Sequence, residues 1–336
     1  MAWRWIAAEW GSPEQWRFVE NITPVPGPGE VTLRVRAAGV NPADAKHVAS
    51  PRPGRGLPVA IGYEVAGTVI AVGPDASGVT GPLVVGDEVL AFRVTGGYAT
   101  ELTLPAEKVL HRPSTLDVAE AANLLLAGTT AAEMLHAVDA RAGDTILLHA
   151  ASGAVGSIVL QLAALRGITV IGTASEARAE DVRALGGIPV TYGRGLQERV
   201  EETIRSLRRV GVDAALDAAG TEEAVEVSLA LVSERGRIVT VAAPARAEER
   251  GFQALAGTKP DSATFRDAAR SDLVTLAGRG LLRVPLSRSY PLSEAKEAHR
   301  FLSQGHPGGK LTLIPGPESG VTEAHAGSYD HAGGDL

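Results

Sequence analysis

The sequence predicts an α/β protein with two domains, one of them all-β and the other a doubly wound parallel sheet. The chain has 336 residues, and a domain of average size takes about 100 to 200 residues. Short strand-like runs broken by Gly and Pro fill residues 1–120, whereas strand and helix patterns alternate over 121–284. Strand-like runs return over 285–316, and we expect them to rejoin the first β unit.

The β unit is predicted from alternating or continuous apolar runs that end at turn-forming residues. Gly and Pro at 24–29 and the Gly-Pro-Asp at 73–75 separate these runs. The predicted strands are 31–36, 65–72 and 86–92, followed after the second domain by a strand at 283–286, a helix at 293–303 and a strand at 310–314.

The second domain is predicted from buried apolar strands that alternate with helices. A helix at 121–137 leads into a strand at 144–150, a helix at 153–166 and a strand at 168–173, which together form a βαβ unit. The alternation continues with helices at 176–185, 195–207 and 222–232 and strands at 188–191, 212–217 and 236–241. The polar segment 243–270 is compatible either with a mobile lid or with a solvated linker.

Composition argues against several classes of function. With 32 basic and 39 acidic residues, the chain has no cationic excess for nucleic acid. No apolar run approaches the roughly 20 residues that span a bilayer, and the N-terminus lacks a secretory signal, so we expect a cytoplasmic protein. Cysteine is absent, which excludes disulfides and thiolate zinc sites. Residues 317–336, which include His325 and His331, have almost no apolar side chains, and we expect a disordered tail.

The segment 149–156 lies where a strand passes into a helix, the position at which a dinucleotide-binding loop holds pyrophosphate. Ala151 replaces the first glycine of the G-x-G-x-x-G pattern, while Gly153 and Gly156 remain. Such a loop can also be a tight turn between packed elements, but its βαβ setting favours cofactor binding. The predicted pyrophosphate loop is Ala151, Ser152, Gly153, Ala154, Val155 and Gly156.

The end of the next strand indicates which dinucleotide is bound. An NAD enzyme carries an acid there, but Ala174 takes that position after Thr173. Ser175 and Arg178 follow, and a hydroxyl and a guanidinium suit the 2′-phosphate of NADPH. Glu176 is evidence against this, although it equally fits the first turn of a helix. NADPH is therefore the predicted cofactor.

Five motifs together resemble one enzyme family over residues 20–315. They are AAGVNPAD at 37–44, GYEVAG at 62–67, LAGTT at 126–130, the 149–156 loop and GGK at 308–310. They resemble the medium-chain dehydrogenase/reductase superfamily, and within it the zinc-independent quinone oxidoreductase group of zeta-crystallin type. The resemblance implies a GroES-like β-barrel catalytic domain, a Rossmann cofactor domain, an active site in the cleft between them, and a homodimer.

The resemblance also implies that this chain holds no catalytic zinc. Zinc members bind the metal through Cys, His and Cys, and Asn41, Tyr63 and Leu126 take those positions here. Only Glu64 remains of the zinc-site residues, and one carboxylate beside an amide and a phenol is not a zinc site.

The catalytic candidates implied by the resemblance are Asn41, Lys46 and Tyr63. Asn41 is expected near the nicotinamide and the substrate. Lys46 takes the place of a tyrosine found in many quinone reductases, and either donates a hydrogen bond to the substrate or is a surface residue near Asp44. Tyr63 either donates from the vacated ligand position or only fills its space. Asp44 is expected to orient its neighbours, because a carboxyl needs a strongly raised pKa to act as an acid at neutral pH.

The remaining cofactor contacts also come from the resemblance. Thr129 or Thr130 is expected against the nicotinamide ribose or amide, and Tyr192 near the 2′-phosphate. Val241 and Ala242 are expected to face the nicotinamide, and Gly309 and Lys310 to close over the cofactor. His149 ends a buried strand and is expected to be a core histidine.

The predicted function is reduction of a quinone or an α,β-unsaturated carbonyl compound by hydride from NADPH, without zinc. In the absence of a Lewis acid, hydrogen-bond donors must stabilise the developing oxyanion, and conjugated acceptors delocalise that charge. One alternative is a dedicated enoyl reductase of a secondary-metabolite, polyketide-like pathway. Another is a non-catalytic, crystallin-like NADPH-binding protein. The predicted partners are a small-molecule substrate and a second copy of the chain, with neither nucleic acid nor membrane.

Overall fold

The N-terminal part of the chain folds into antiparallel sheets, in a computed structural model that describes residues 2–51, 54–305 and 308–316. β3 pairs with β5 and β9, β5 with β8, and β8 with β10, while β1 pairs with β2 and β4. The elements are β1 (Ala2–Ala7), β2 (Trp16–Asn21), β3 (Glu30–Val40), α1 (Pro42–Lys46), β4 (Val59–Ala60), β5 (Glu64–Val72), β6 (Ser77–Gly78), β7 (Gly81–Pro82), β8 (Glu88–Phe92), β9 (Glu101–Pro105) and β10 (Val109–His111).

The second part of the chain is a parallel sheet with helices on both faces. The strand order β13-β12-β11-β14-β15-β16 is that of a doubly wound dinucleotide-binding sheet, so the predicted fold class is confirmed. The elements are α2 (Val118–Ala137), β11 (Thr145–His149), α3 (Ala154–Leu165), β12 (Thr169–Ala174), α4 (Ala179–Ala184), β13 (Ile188–Thr191), α5 (Leu196–Ser206), β14 (Ala214–Asp217), α6 (Glu222–Leu231), β15 (Ile238–Thr240), α7 (Pro244–Arg250), β16 (Gln253–Ala254) and α8 (Pro260–Gly278).

The C-terminal segment returns to the first sheet. It comprises β17 (Leu286–Pro291), α9 (Ala295–Ser303) and β18 (Lys310–Ile314). β18 pairs antiparallel with β3, which places Thr312 opposite Gly39, and β17 pairs parallel with β18. On this pairing we propose the division predicted from the sequence, with 1–120 and 285–316 as one domain and 121–284 as the other.

Helix α2 joins the two parts and is buried along most of its length. It packs against β3, β5 and β18 on one side and against α3 and α8 on the other. β3 approaches it closely at Gly39, where a Cβ atom would lie 2.4 Å from the carbonyl oxygen of Ala122. Glycine is therefore required where β3 meets α2.

Two sequence predictions differ from the structure. The strand predicted at 283–286 is wrong: Leu282 and Val284 pack in the core around α2, and β17 begins only at Leu286, after Pro285. The polar segment 243–270 contains α7, β16 and the first half of α8. One of its polar side chains has a buried partner, since the Arg266 guanidinium donates to Glu133 on α2 at 2.6 Å. Because a charged residue such as Arg266 can be buried with a partner, the polar sequence of α8 does not show that this helix is exposed.

Two further expectations concern the tail and the membrane. The disordered tail predicted at 317–336 lies outside the described residues. Among the helices of the described segments, none combines the length and the apolar character that crossing a membrane requires.

Candidate active site

A buried cluster of charged and polar groups lies where four segments of the chain meet. Glu64 begins β5, and its Oε1 accepts from the Lys310 ammonium and from the Asn41 amide, each at 3.0 Å. Its Oε2 accepts from the backbone N–H of Leu126 on α2 at 2.9 Å. Lys310 also donates to Asn41 Oδ1. Glu64, Asn41 and Lys310 are 1%, 2% and 4% exposed, so the ion pair is withdrawn from solvent.

By the family resemblance, Asn41 and Glu64 of this cluster take positions that belong to the zinc site in zinc-binding members. The carboxylate of Glu64 is neutralised by an ammonium and is saturated by three donors, which leaves no ligand set for a divalent cation. The described residues also contain no group of three or more His, Asp or Glu side chains suited to a metal. Lys310 was predicted to close over the cofactor, and its ammonium instead faces Glu64 and Asn41; a cofactor contact of this residue stays a prediction.

Sequence reasoning missed the pairing of Glu64 with Lys310. The two residues are 246 positions apart, and no local pattern connects them. The available signal was chemical, because a carboxylate retained in a site without its metal needs another cation when it is buried.

Asp44 holds Asn41 in place from behind the cluster. Its Oδ2 accepts from the Asn41 backbone N–H at 2.8 Å and from the Tyr98 hydroxyl at 2.9 Å. Burial raises the pKa of Asp44 to about 7, in spite of these two donors. The Tyr98 hydroxyl lies 3.0 Å from Nε2 of His299. Asp44 is enclosed at 1% exposure, which suits the orienting role expected from the sequence.

Tyr63 has a partner that the sequence did not indicate. Its hydroxyl is hydrogen-bonded to Nδ1 of His47, and the two rings lie edge to face with centroids 4.8 Å apart. Tyr63 is only half-buried, so its hydroxyl is fixed at the edge of the interior. Lys46, next to His47, is exposed on α1. The catalytic roles of Tyr63, Lys46 and Asn41 stay predictions.

The predicted pyrophosphate loop turns tightly from β11 into α3. Gly153 is the N-cap of α3 and offers no side-chain cap, so the first N–H groups of the helix, from Ala154 to Gly156, have no acceptor within the helix. A Cβ atom on Gly156 would lie 2.3 Å from the carbonyl oxygen of Ala150. Ala151 is fully buried against β12, whereas Ser152 and Val155 are half-exposed. The helix therefore presents free donors at the carboxyl edge of the sheet.

The predicted 2′-phosphate residues gather at the ends of β12 and β13. Ser175 and Arg178 are half-exposed just after β12, and Tyr192 is 44% exposed just after β13. Arg178 is hydrogen-bonded to Asp181 at 3.0 Å and lies against Gly308. Thr173, by contrast, is buried, and its hydroxyl accepts from the Ala150 N–H at 3.2 Å. Glu176 is exposed in the turn that follows β12.

The residues predicted near the nicotinamide lie on two elements. Thr129 and Thr130 are buried on α2 and donate to the carbonyl oxygens of Leu125 and Leu126, both at 2.7 Å. The hydroxyl oxygens of both threonines can still accept a hydrogen bond from a ligand. Val241 and Ala242 are half-buried directly after β15.

The loops after β14 and β15 are tied together by Asp217. Its carboxylate accepts from the Thr240 hydroxyl at 2.7 Å and from the N–H groups of Ala219 and Gly220. Gly309 approaches Pro285 so closely that a Cβ atom would lie 2.7 Å from its carbonyl oxygen.

His149 is a core residue, as the sequence predicts. Its Nε2 lies 3.1 Å from the Ser228 hydroxyl, and burial lowers its pKa to about 4. The imidazole is therefore neutral at physiological pH and is not placed to act as a base.

Comparisons with known proteins agree with this architecture. A family described as alcohol dehydrogenase GroES-like domain matches residues 27–114, and one described as zinc-binding dehydrogenase matches 193–313. A 2-haloacrylate reductase from Burkholderia sp is 33% identical over 91% of this chain and 96% of that protein. A quinone oxidoreductase from Pseudomonas aeruginosa is 30% identical over 94% of this chain and 100% of that protein.

A solved structure supports the same conclusion. A mycobacterial protein complexed with NADPH has a TM-score of 0.78 and 29% identity, over 94% of this chain and 100% of that one. The second family description names zinc. This chain, however, has no cysteine, and its Glu64 is paired with the ammonium of Lys310.

Removing one partner of the buried pair should destabilise the protein strongly. Lys310→Met leaves the carboxylate of Glu64 buried without its cation, and Glu64→Gln leaves the ammonium without its anion, at a cost of about 3–5 kcal/mol each. The double variant should lose less than the sum of the two. Urea unfolding measures all three free energies of unfolding.

The exposed pair of Glu180 with Arg183 provides the matched control. Glu180→Gln should cost less than about 1 kcal/mol. Losses of this small size in the two buried variants would show that the pair does not hold the domains together.

Proposed function

Because the chain belongs to the zinc-independent group of the medium-chain dehydrogenase/reductase superfamily, we propose that it transfers hydride from NADPH to a quinone or an α,β-unsaturated carbonyl compound. The chain is an oxidoreductase; the cofactor contacts and the substrate are what we infer. The observation that carries the proposal is the saturated Glu64 carboxylate, which leaves the cleft with hydrogen-bond donors in place of a metal.

NADPH fits the residues at the edge of the parallel sheet. The uncapped start of α3 suits the pyrophosphate, and Ser175, Arg178 and Tyr192, which lie just after β12 and β13, suit the 2′-phosphate. No carboxylate ends β12 to hold a ribose 2′-hydroxyl. The relative complexed with NADPH supports the same choice.

The bound cofactor supplies the hydride, and residues of the chain orient the substrate, stabilise its negative charge and supply the proton. Tyr63 donates a hydrogen bond to the substrate oxygen, and His47 holds its hydroxyl in direction. Asn41 positions the nicotinamide and the substrate, and Asp44 keeps the Asn41 backbone in place. Lys46, exposed beside His47, supplies the proton that completes the reduction. A quinone or an enone suits these donors because its negative charge is delocalised as hydride arrives.

The similarity to a 2-haloacrylate reductase favours a conjugated C=C bond as an acceptor as well as a quinone. We also propose a homodimer in the cytoplasm, as the family resemblance implies. In support of the dimer, β16 lies at an edge of the six-stranded sheet, where a second copy can add strands.

The proposed activity is tested by following NADPH oxidation with chelator-treated protein. The acceptors are one quinone, one simple enone and one enoyl thioester, each also tried with NADH. We expect turnover of the quinone or the enone with NADPH. Preference for the thioester would identify the dedicated enoyl reductase instead, and NADPH binding without turnover of any acceptor would favour the non-catalytic alternative.

Cofactor choice is tested by Arg178→Ala, because a hydrogen-bonded charge pair contributes about 1.5–3 kcal/mol. The dissociation constant of NADPH should rise by a factor of about 10 to 100, and that of NADH should change little. Arg183→Ala, in the neighbouring turn, is the control, since Arg183 is 58% exposed and pairs with Glu180. Equal losses of NADPH and NADH affinity would contradict the 2′-phosphate assignment.

A further inference from the structure

A polar cavity of about 370 Å³ lies between the first β domain and helix α8. Its volume is within the range of sites for small ligands. Three positive and two negative side chains line it, so its formal charge is +1. The lining residues are Phe92, Arg93, Glu107, Lys108, Asp267 and Arg270.

Arg93 is held in a conformation that costs energy. Its φ of +60° lies in the left-handed region, which a long side chain rarely adopts. Its Nη1 is enclosed and makes no hydrogen bond with any described residue. The Asp267 carboxylate is 3.5 Å away, beyond good hydrogen-bonding distance. Backbone strain of this kind clusters at functional sites.

Arg270 brings a second guanidinium to the same cavity. Its Nε donates to the Asp267 carbonyl oxygen at 3.1 Å, but the Asp267 carboxylate is 3.6 Å away, and its Nη1 reaches the Glu107 carbonyl oxygen only at 3.4 Å. Burial lowers the pKa of Arg270, and the nearby charge of Arg93 lowers it further. Two like charges with incompletely used donors therefore face one cavity, an arrangement that an anion would relieve.

The cavity adjoins the proposed catalytic donors through β8. Phe92, which precedes Arg93, is paired with Glu64 across β5 and β8. Val94, which follows Arg93, donates its N–H to the carbonyl oxygen of Tyr63 at 3.1 Å. Arg93 thus lies between a residue paired with Glu64 and a residue bonded to Tyr63.

We propose that Arg93 and Arg270 bind a carboxylate of the substrate, so that the preferred acceptor is an α,β-unsaturated carbonyl compound with a negative charge. Lys108 orients Arg93 by donating to its carbonyl oxygen at 2.9 Å. In the absence of substrate the Asp267 carboxylate is the anion nearest to both guanidiniums, and the substrate carboxylate replaces it there. The proposal rests on the proposed reductase activity and adds the charge of the substrate to it.

The test compares benzoylacrylate with its methyl ester, which has the same enone and lacks the charge. Wild-type protein should have the lower KM for the acid. In Arg93→Gln and in Arg270→Gln the KM for the acid should rise about tenfold or more, as expected for loss of a charge-assisted hydrogen bond, and that for the ester by much less. Asp267→Asn should change the KM for the acid in the opposite direction. Arg17→Gln, at an exposed arginine paired with Glu9, is the control.

The outcomes separate the two proposals. Turnover of both compounds with equal KM values would leave the reductase standing and overturn the carboxylate site, as would equal effects of Arg93→Gln on acid and ester. If neither compound is reduced, the enone part of the proposed function fails, and calorimetric titration of benzoylacrylate into wild-type and Arg93→Gln protein with NADP+ decides the site. Equal affinities in that titration would overturn it, and weaker binding by the variant would support it.

Discussion

The buried ion pair between Glu64 and Lys310 is the constraint on which the site depends. Its two oxygens and one ammonium connect β5, β18, the start of α1 and the middle of α2. Desolvating two charges is costly, and the cost is offset only when the geometry is good and every donor and acceptor is used. The pair therefore ties β5 and β18 to the start of α1 and to α2.

The same pair determines which chemistry the cleft can perform. An ammonium on Glu64 supplies the charge that a metal supplies in zinc-binding relatives, but it is enclosed and is not available to polarise a substrate oxygen. We propose that side chains at the edge of the interior polarise the substrate oxygen instead. Tyr63, with its hydroxyl fixed by His47, lies there, while the buried Asn41 and Asp44 form the rigid support behind it. The proposed carboxylate site around Arg93 adds a charge that orients the substrate.

The sequence predicts the fold well where one local pattern decides the structure. The strand, loop and helix around Gly153 and Gly156 are such a case, since apolar strands buried on both faces leave few alternatives. The sequence predicts the structure poorly where contacts between residues distant in the chain determine it. Arg266 suggests that α8 is exposed, because its buried partner Glu133 cannot be identified from the sequence. Similarly, β17 begins only after Pro285, although apolar residues precede that proline. The pairing of Lys310 with Glu64 and the left-handed Arg93 are equally invisible, because both depend on tertiary contacts.

The most direct test of the central claim is to follow the hydride itself. NADPH that carries deuterium at its transferable position is incubated with a simple enone in ordinary water, and the product is analysed by mass spectrometry and NMR. The account predicts one deuterium on the carbon β to the carbonyl, with an ordinary hydrogen from water on the α carbon. Oxidation of the cofactor without deuterium at the β carbon would contradict it.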